Sequence, residues 1–237
     1  MLSIPDAPPP PDPGIPSLGG LQIAPLLRHL ARKTSPDTAI VEIGSWLGAG
    51  TWQIADSIRG RAVRPEFHVF DHFRANKLEA ERATEAGLEV MEGQDTRPLV
   101  NFLLSDLETP VHLHKCDLRK ATWKGGPIGL LIEDAAKRKH LFASMLETFG
   151  PSFVPGETIL VLMDYHLWRE KGSRPMRIEY RAQTEFIEAH PASFEHLGEP
   201  DIRRTSTAVF RYTEELDFAA AVADWWAEDN EEESAEN

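Results

Sequence analysis

The sequence predicts an α/β fold in which a mostly parallel sheet carries helices on both faces. The apolar runs Ala39–Ile43 and Ile128–Ile132 lack the polar alternation of a half-exposed strand, as expected for strands buried on both faces. Stretches with helical periodicity lie between such runs, a pattern typical of βαβ units. With 237 residues and 41% hydrophobic content, the chain is long enough for one such domain with appendages.

The chain divides into three predicted segments. Residues 1–20 contain a proline cluster that ends in two glycines, which predicts an extended or disordered arm. Residues 21–213 form the folded domain. Residues 214–237 predict a short helix followed by an acidic, partly disordered tail. This last segment holds ten acidic residues and no Lys or Arg, so most of the net charge of −13 lies there.

Composition excludes several classes of function. Neither the near-neutral body nor the acidic tail offers the basic surface that nucleic-acid binding requires. No apolar stretch approaches membrane-spanning length, and the first residues lack the pattern of a signal peptide. A single cysteine, Cys116, excludes an intrachain disulfide and fits a reducing compartment. We therefore expect a cytoplasmic protein that contacts neither membrane nor nucleic acid, and the sequence leaves a homo-oligomer open.

The elements follow one another in a regular order. Apolar residues at helical spacing predict the first helix, and Ser35-Pro36-Asp37 ends it. The stretch 76–107 reads as helical, with charged residues outward and Leu99, Phe102 and neighbouring leucines inward. Two late strands follow the last crossover helix. The predicted helices besides 76–107 cover residues 21–33, 49–61, 138–149 and 177–190. The strands besides the two apolar runs cover 67–73, 111–115, 193–197 and 205–212, and a further strand follows the turn at Pro155-Gly156-Glu157 and ends at Met163.

The organising stretch runs from Ala39 to Thr51 and reads as a strand, a glycine loop and a helix. Gly44, Gly48 and Gly50 would allow the backbone to turn tightly and to lie close to a ligand. The amides at the start of the next helix would face that ligand. Open α/β sheets bind ligands beyond the carboxyl ends of their strands, where this loop falls. We therefore expect the cofactor there.

The loop resembles motif I of the class I S-adenosylmethionine-dependent methyltransferases, because an acid, Glu42, precedes a Gly-x-x-x-Gly-x-Gly pattern. The block Phe70-Asp71-His72-Phe73 is similar to the Phe-Asp-Ser-Phe of macrocin-type O-methyltransferases. The resemblance spans roughly residues 21–213. It implies a Rossmann-like sheet of seven strands whose last strand is antiparallel, and O-methylation of a small hydroxylated metabolite such as a sugar or natural product.

The resemblance also implies a set of cofactor-binding positions. An acid at the second strand tip can accept hydrogen bonds from ribose hydroxyls, and the acid after the third strand lies near the adenine in this family. The positions that would bind S-adenosylmethionine are Glu42, Gly44, Ser45, Gly48, Gly50, Thr51, Asp71, His72, Asp117, Leu118 and Asp134.

Two catalytic mechanisms stay open. His166 follows a strand tip and is the candidate general base, since histidine ordinarily titrates near neutral pH. Asp134 is a second candidate catalytic residue, and Asp134 and Asp164 could share a Mg²⁺ ion. Some relatives carry Asp-Gly-Asp-His after the fourth strand, whereas this chain carries Asp134-Ala-Ala-Lys137. That difference favours the metal-free mechanism.

Two other functions compete with a methyltransferase. An NAD(P)-dependent oxidoreductase also uses a glycine loop and a second-strand acid, although its fingerprint spacing is Gly-x-Gly-x-x-Gly. A non-catalytic relative could keep the fold as a module that binds S-adenosylmethionine. Binding of S-adenosylmethionine and of NAD discriminates the enzyme classes, and turnover discriminates an enzyme from a binding module.

Overall fold

A computed structural model describes residues 10–18, 20–170, 180–199 and 206–235. These residues form a seven-stranded sheet in the order β3-β2-β1-β4-β5-β7-β6. The strands are β1 (Ala39–Ile43), β2 (Phe67–Asp71), β3 (His112–Lys115), β4 (Ile128–Glu133), β5 (Ile159–Leu162), β6 (Phe194–Gly198) and β7 (Ala208–Tyr212). The helices are α1 (Ala24–Lys33), α2 (Ala49–Ile58), α3 (Lys77–Glu85), α4 (Arg97–Leu103), α5 (Lys139–Phe149), α6 (Leu167–Glu170), α7 (Ala182–Ala189) and α8 (Phe218–Ala235). Short 3₁₀ turns cover Gly20–Ile23, Leu118–Lys120 and Gly150–Ser152.

The sheet is mixed, and only its last strand breaks the parallel pattern. β1 to β5 pair in parallel, while β7 runs antiparallel to both β5 and β6. The predicted mostly parallel sheet with an antiparallel last strand is therefore confirmed. As a result, the carboxyl ends of β1 to β6 and the start of β7 lie at the same edge.

The core occupies both faces of the sheet. Every residue of β1 and β4 is buried, which explains why their sequences lack alternation. Val41 and Ile43 pack on one face with α5, α7 and α8, whereas Ile40 and Ile132 pack on the other face with α1 and α2. This two-sided packing holds the strand tips in a fixed register.

The sequence suggested one helical stretch over residues 76–107, but the structure has two separate helices there. Asn76 and Glu79 form a capping box that starts α3. Gly87 and Gly93 then take positive φ values of 83° and 80°, which an α-helix does not allow, and an irregular segment separates α3 from α4. Phe102, expected inward, is 72% exposed, because Val100 and Leu104 form the buried side of α4.

Parts of both predicted appendages lie within the described residues. Residues 10–18 contain no helix or strand, yet Ile15 is buried beside α1 and α2. Gln53 fixes this part of the arm by donating a hydrogen bond of 2.7 Å to the carbonyl of Pro11. At the other terminus, α8 extends to Ala235, and its Trp225 packs in the core while Trp226 is 40% exposed. Residues 1–9, 236 and 237 lie outside the described residues.

In the described parts of the chain, no helix is both long and apolar enough to cross a membrane. The predicted helix over 177–190 covers Ala182–Ala189; Tyr180 and Arg181 precede it without helical structure, and residues 171–179 lie outside the described residues.

Candidate functional site

Strained backbone marks the edge where the strands end. Within the described residues, the non-glycine residues with left-handed φ are Trp46, Phe73 and Asp164, at 48°, 45° and 65°. Each follows a strand tip, of β1, β2 and β5 respectively. Such conformations cost about 1–3 kcal/mol each and are concentrated at functional sites. The strain therefore points to this edge before any chemistry is considered.

Unpartnered polar atoms mark the same edge. Among the described residues, the buried side-chain atoms without a hydrogen-bond partner are Ser45 Oγ, Trp46 Nε1 and His166 Nδ1. Ser45 and Trp46 lie in the loop after β1, and His166 lies shortly after β5. A buried polar group without a partner is costly, so these three atoms make this edge a candidate place for ligand contacts.

Asp71 at the tip of β2 fastens the glycine loop. Its Oδ2 accepts hydrogen bonds from the amides of Ser45 and Trp46 at 2.8 and 3.1 Å, and its Oδ1 accepts one from Phe73 at 2.7 Å. Burial would raise the pKa of Asp71, but His72 and these amides outweigh it and hold the pKa below its ordinary value. The predicted ribose-binding carboxylate therefore already binds three backbone amides, and it shapes the loop from β2.

The glycines of the loop are required partly by the protein itself. Gly44 has a φ of 85°, and a Cβ there would lie 2.8 Å from the Cβ of Ala135 after β4. Gly48 precedes α2 with a φ of 89° and packs against Val100 of α4. No side chain caps the first turn of α2, so its amides face the crevice without a side-chain acceptor.

Glu42 and Thr51 lie behind the loop. The Thr51 hydroxyl donates a hydrogen bond of 2.6 Å to Oε2 of Glu42, and both side chains are buried. Burial raises the pKa of Glu42 to about 8. Gly50 leaves room for this acid, since a Cβ there would lie 3.0 Å from Glu42 Oε1. In this structure the Glu42 and Thr51 side chains contact each other, and their roles in cofactor binding stay a prediction.

The tips of β4 and β5 converge on one ammonium group. Nζ of Lys137 lies 2.7 Å from the carbonyl oxygen of Met163 and 3.1 Å from Oδ1 of Asp134. It lies 3.7 Å from both Glu133 and Asp164. Burial would lower the pKa of Lys137, but the three carboxylates outweigh it and raise the pKa, so the side chain is cationic.

Glu133 anchors the turn that presents this lysine. It is fully buried, and its Oε1 accepts hydrogen bonds from the amides of Ala135 and Ala136. Its Oε2 accepts a hydrogen bond from Gln183 of α7. Asp134 and Asp164, by contrast, have side chains that are 39% and 40% exposed toward the crevice. Within the described ranges, no group of three or more His, Cys, Asp or Glu side chains could hold a metal ion.

His166 is oriented by a carboxylate that the sequence analysis did not identify. Its Nε2 lies 2.8 Å from Oε1 of Glu199, which follows β6. Its backbone amide donates to Ser206, just before β7. Polar residues that follow the strand tips face the crevice in such folds. This rule also applies to Glu199, so the residue could have been identified from the sequence.

The remaining predicted cofactor residues lie around β2 and β3. Asp117 accepts a hydrogen bond from the Arg119 amide and pairs with the Arg119 guanidinium, which lowers the pKa of Asp117 to about 2. Leu118 packs partly into the core. The His72 ring is 61% exposed and lies 3.3 Å from Asp71. The Asp117 carboxylate is therefore already paired within its own turn.

The geometry thus brings the loops after β1, β2, β4, β5 and β6 to one crevice edge. No protein-family model matches this sequence, and no curated protein matches it. A protein from Corynebacterium glutamicum has a similar structure, with a TM-score of 0.54, 15% identity and 86% of each chain covered.

CalS11, a TDP-rhamnose 3'-O-methyltransferase of calicheamicin biosynthesis, is similar with a TM-score of 0.51 and 13% identity over 84% of this chain and 82% of CalS11. A second CalS11 structure gives a TM-score of 0.53 and 15% identity over 84% and 81% of the two chains. The chain therefore has the class I methyltransferase fold, as its motifs predicted. At these identities the likeness shows the fold alone.

Proposed function

We propose that the protein is an S-adenosylmethionine-dependent methyltransferase that methylates a hydroxyl group of a small metabolite. The observation that carries the proposal is the common location of the unpartnered buried atoms Ser45 Oγ, Trp46 Nε1 and His166 Nδ1. They lie in the loops after β1 and β5, at the edge where folds of this class hold their ligands.

The residues after β1 and β2 fit the cofactor. The uncapped first turn of α2 offers amides to a carboxylate, and Ser45 and Trp46 offer side-chain donors to ribose or adenine acceptors. When bound, S-adenosylmethionine would supply an electrophilic methyl group on a sulfonium ion. Asp71 would act mainly by holding the Ser45 and Trp46 amides in place, which keeps the loop in its binding conformation.

His166 and Glu199 fit the proton transfer that a hydroxyl acceptor requires. An alcohol is a poor nucleophile at neutral pH until a base removes its proton. Because Nε2 of His166 points to the Glu199 carboxylate, the neutral ring has its free lone pair on Nδ1. That nitrogen has no partner among the described residues. His166 would take the acceptor's proton at Nδ1, and Glu199 would stabilise the resulting imidazolium.

The proposed class of methyl acceptor is based on the charge of the chain and on its structural similarity to CalS11. The net charge of −13 argues against a nucleic-acid acceptor. CalS11 methylates a nucleotide-bound sugar, and a hydroxylated sugar or natural product is the class proposed for this chain as well. Methyl transfer also depends strongly on positioning, which the fixed strand tips would provide.

Calorimetry tests the proposal directly. S-adenosylmethionine should bind, whereas NAD and NADP should not. Ser45→Ala and Trp46→Phe should each weaken S-adenosylmethionine binding roughly 2–10-fold, the scale of one hydrogen bond. Ser45→Ala should leave the fold stability unchanged, because Ser45 Oγ has no partner among the described residues, whereas Trp46→Phe also loses some packing against the core. Ser57→Ala is the matched control, since the Ser57 hydroxyl binds a carbonyl of α2 on its own helix.

Each alternative has its own outcome. Binding of NAD in place of S-adenosylmethionine would instead support the oxidoreductase function. Binding of S-adenosylmethionine without methyl transfer from labelled cofactor to any hydroxylated acceptor pool would favour a non-catalytic module. Unchanged affinity in both Ser45→Ala and Trp46→Phe would remove the observation on which the proposal rests.

A further inference from the structure

We propose that Lys137 is a built-in cation that occupies the position between Asp134 and Asp164 where a divalent metal ion would otherwise bind. Lys137 is thus a positioning residue that holds the carboxylates at the tips of β4 and β5. The inference concerns metal binding alone, so it does not depend on methyl transfer or on any cofactor.

The contacts of the ammonium group carry the inference. Nζ of Lys137 lies 3.1 Å from Asp134 Oδ1 and 3.7 Å from Asp164 Oδ2, so it contacts the carboxylates that the sequence offers as metal ligands. It also donates to the Met163 carbonyl at 2.7 Å. The Lys137 side chain is only 11% exposed, so it is a fixed part of the crevice wall.

A divalent ion does not fit the same place. Mg²⁺ requires oxygen ligands about 2.1 Å away in octahedral geometry, and Lys137 has no lone pair to offer while it is cationic. The two charges would also repel each other strongly at such short range. The remaining nearby carboxylate, Glu133, is fully buried, and its two oxygens already accept hydrogen bonds from Ala135, Ala136 and Gln183.

The arrangement has a consequence for the crevice. A single fixed positive charge partly neutralises Asp134 and Asp164, which would otherwise repel each other where both are partly exposed. The lysine thereby performs the electrostatic task of a metal ion without any dependence on metal supply. Glu133 and Gln183 reinforce it by fixing the turn from which Lys137 projects.

Mn²⁺ binding, followed by the electron paramagnetic resonance of the free ion, tests the inference. The wild-type protein should bind no stoichiometric Mn²⁺ at this site. Lys137→Met removes the charge and roughly keeps the length of the side chain. This variant should bind one equivalent of Mn²⁺, with an affinity at least about tenfold higher than any weak Mn²⁺ binding by the wild type. Adding Asp164→Asn to Lys137→Met should abolish that binding, and Lys137→Arg should stay metal-free. Lys33→Met, at the exposed end of α1, is the control.

Two results would overturn the inference. One is a stoichiometric Mn²⁺ ion in the wild-type protein that Asp164→Asn removes. The other is a folded Lys137→Met protein that binds no more Mn²⁺ than the wild type. If Lys137→Met does not fold, Lys137→Gln replaces it, because Gln keeps a hydrogen-bond donor for the Met163 carbonyl; it should bind Mn²⁺ in the same way. The wild-type measurement does not depend on either variant.

Discussion

Nε2 of His166 lies 2.8 Å from Oε1 of Glu199, although 33 positions separate the two residues in the chain. The pair joins the tip of β5 to the end of β6, on the side of the crevice opposite the β2 tip. The carboxylate fixes the orientation of the ring and directs its free nitrogen away from Glu199.

His166→Ala should lower the rate of methyl transfer roughly 10²–10⁴-fold, because the acceptor loses its general base. Glu199→Gln should cost less, since an amide can still orient the ring but cannot stabilise the imidazolium. Steady-state rates between pH 5.5 and 9 check this, with the exposed His140→Ala of α5 as the control. An undiminished rate in His166→Ala would rule out His166 as the base.

Glu42→Gln should change how stability depends on pH. The folded state holds a proton on Glu42 up to about pH 8, whereas the unfolded chain releases it near 4.5. The wild-type free energy of unfolding should therefore fall as pH rises across that window, by on the order of 4 kcal/mol from this group. Glu42→Gln should lack this decline while keeping an acceptor for Thr51.

Urea unfolding of both proteins at several pH values between 5 and 9 measures the Glu42 effect, and Glu147→Gln on the exposed side of α5 is the control. Parallel pH profiles for wild type and Glu42→Gln would show that Glu42 is charged in the folded protein.

Asp71→Ala should destabilise the fold as well as the site. The amides of Ser45, Trp46 and Phe73 would lose their acceptor, and hydrogen bonds to a charged group contribute about 1.5–3 kcal/mol each. We expect a loss of about 3 kcal/mol or more in the free energy of unfolding at pH 7. Because the pKa of Asp71 is lowered, its contribution should be present above its ordinary pKa and be lost as pH falls through the folded value.

Asp106→Ala, an exposed acid after α4, is the control for Asp71→Ala. An unchanged unfolding midpoint combined with a large loss of S-adenosylmethionine affinity would instead support the ribose-binding role that the sequence suggests.

Gly44→Ala should destabilise the protein more than Gly156→Ala. The two glycines have similar φ values, 85° and 81°, so both substitutions carry the left-handed backbone cost of about 1–2 kcal/mol. Only at Gly44 would the new Cβ also meet Ala135, at 2.8 Å, whereas nothing lies within 4 Å of the Gly156 position. Thermal unfolding of the pair isolates the clash, and equal losses would show that the loop after β4 can move aside.

The Gly44 comparison also applies to a larger substitution. Gly44→Val would place a side chain where the backbone is expected to meet the cofactor, so it should block cofactor binding. The structure shows a close approach of the β1 and β4 loops, so the bulkier side chain should affect folding too.

The sequence by itself determined the strands, their alternation with helices and the place of the glycine loop. Those features depend on local pattern: β1 and β4 are mostly apolar and lack alternation because helices cover both faces, and Gly44 marks where β1 stops. Asp71 at the end of β2, Asp134 after β4 and Asp164 after β5 could be named for the same reason, since a polar residue at the end of a buried strand falls at the sheet edge.

Only the tertiary structure decided what those side chains contact. Thr51 turns inward to Glu42, Asp71 binds loop amides, Lys137 lies between Asp134 and Asp164, and Glu199 reaches His166. The contacts of Asp71, of Lys137 with Asp164 and of Glu199 with His166 join strands or loops distant in sequence, so they depend on sheet order and register. The contacts of Thr51 with Glu42 and of Lys137 with Asp134 are local, but they too depend on how these side chains are buried. Burial raises the pKa of Glu42, whereas the carboxylates around Lys137 outweigh the effect of burial there and raise the pKa of that lysine.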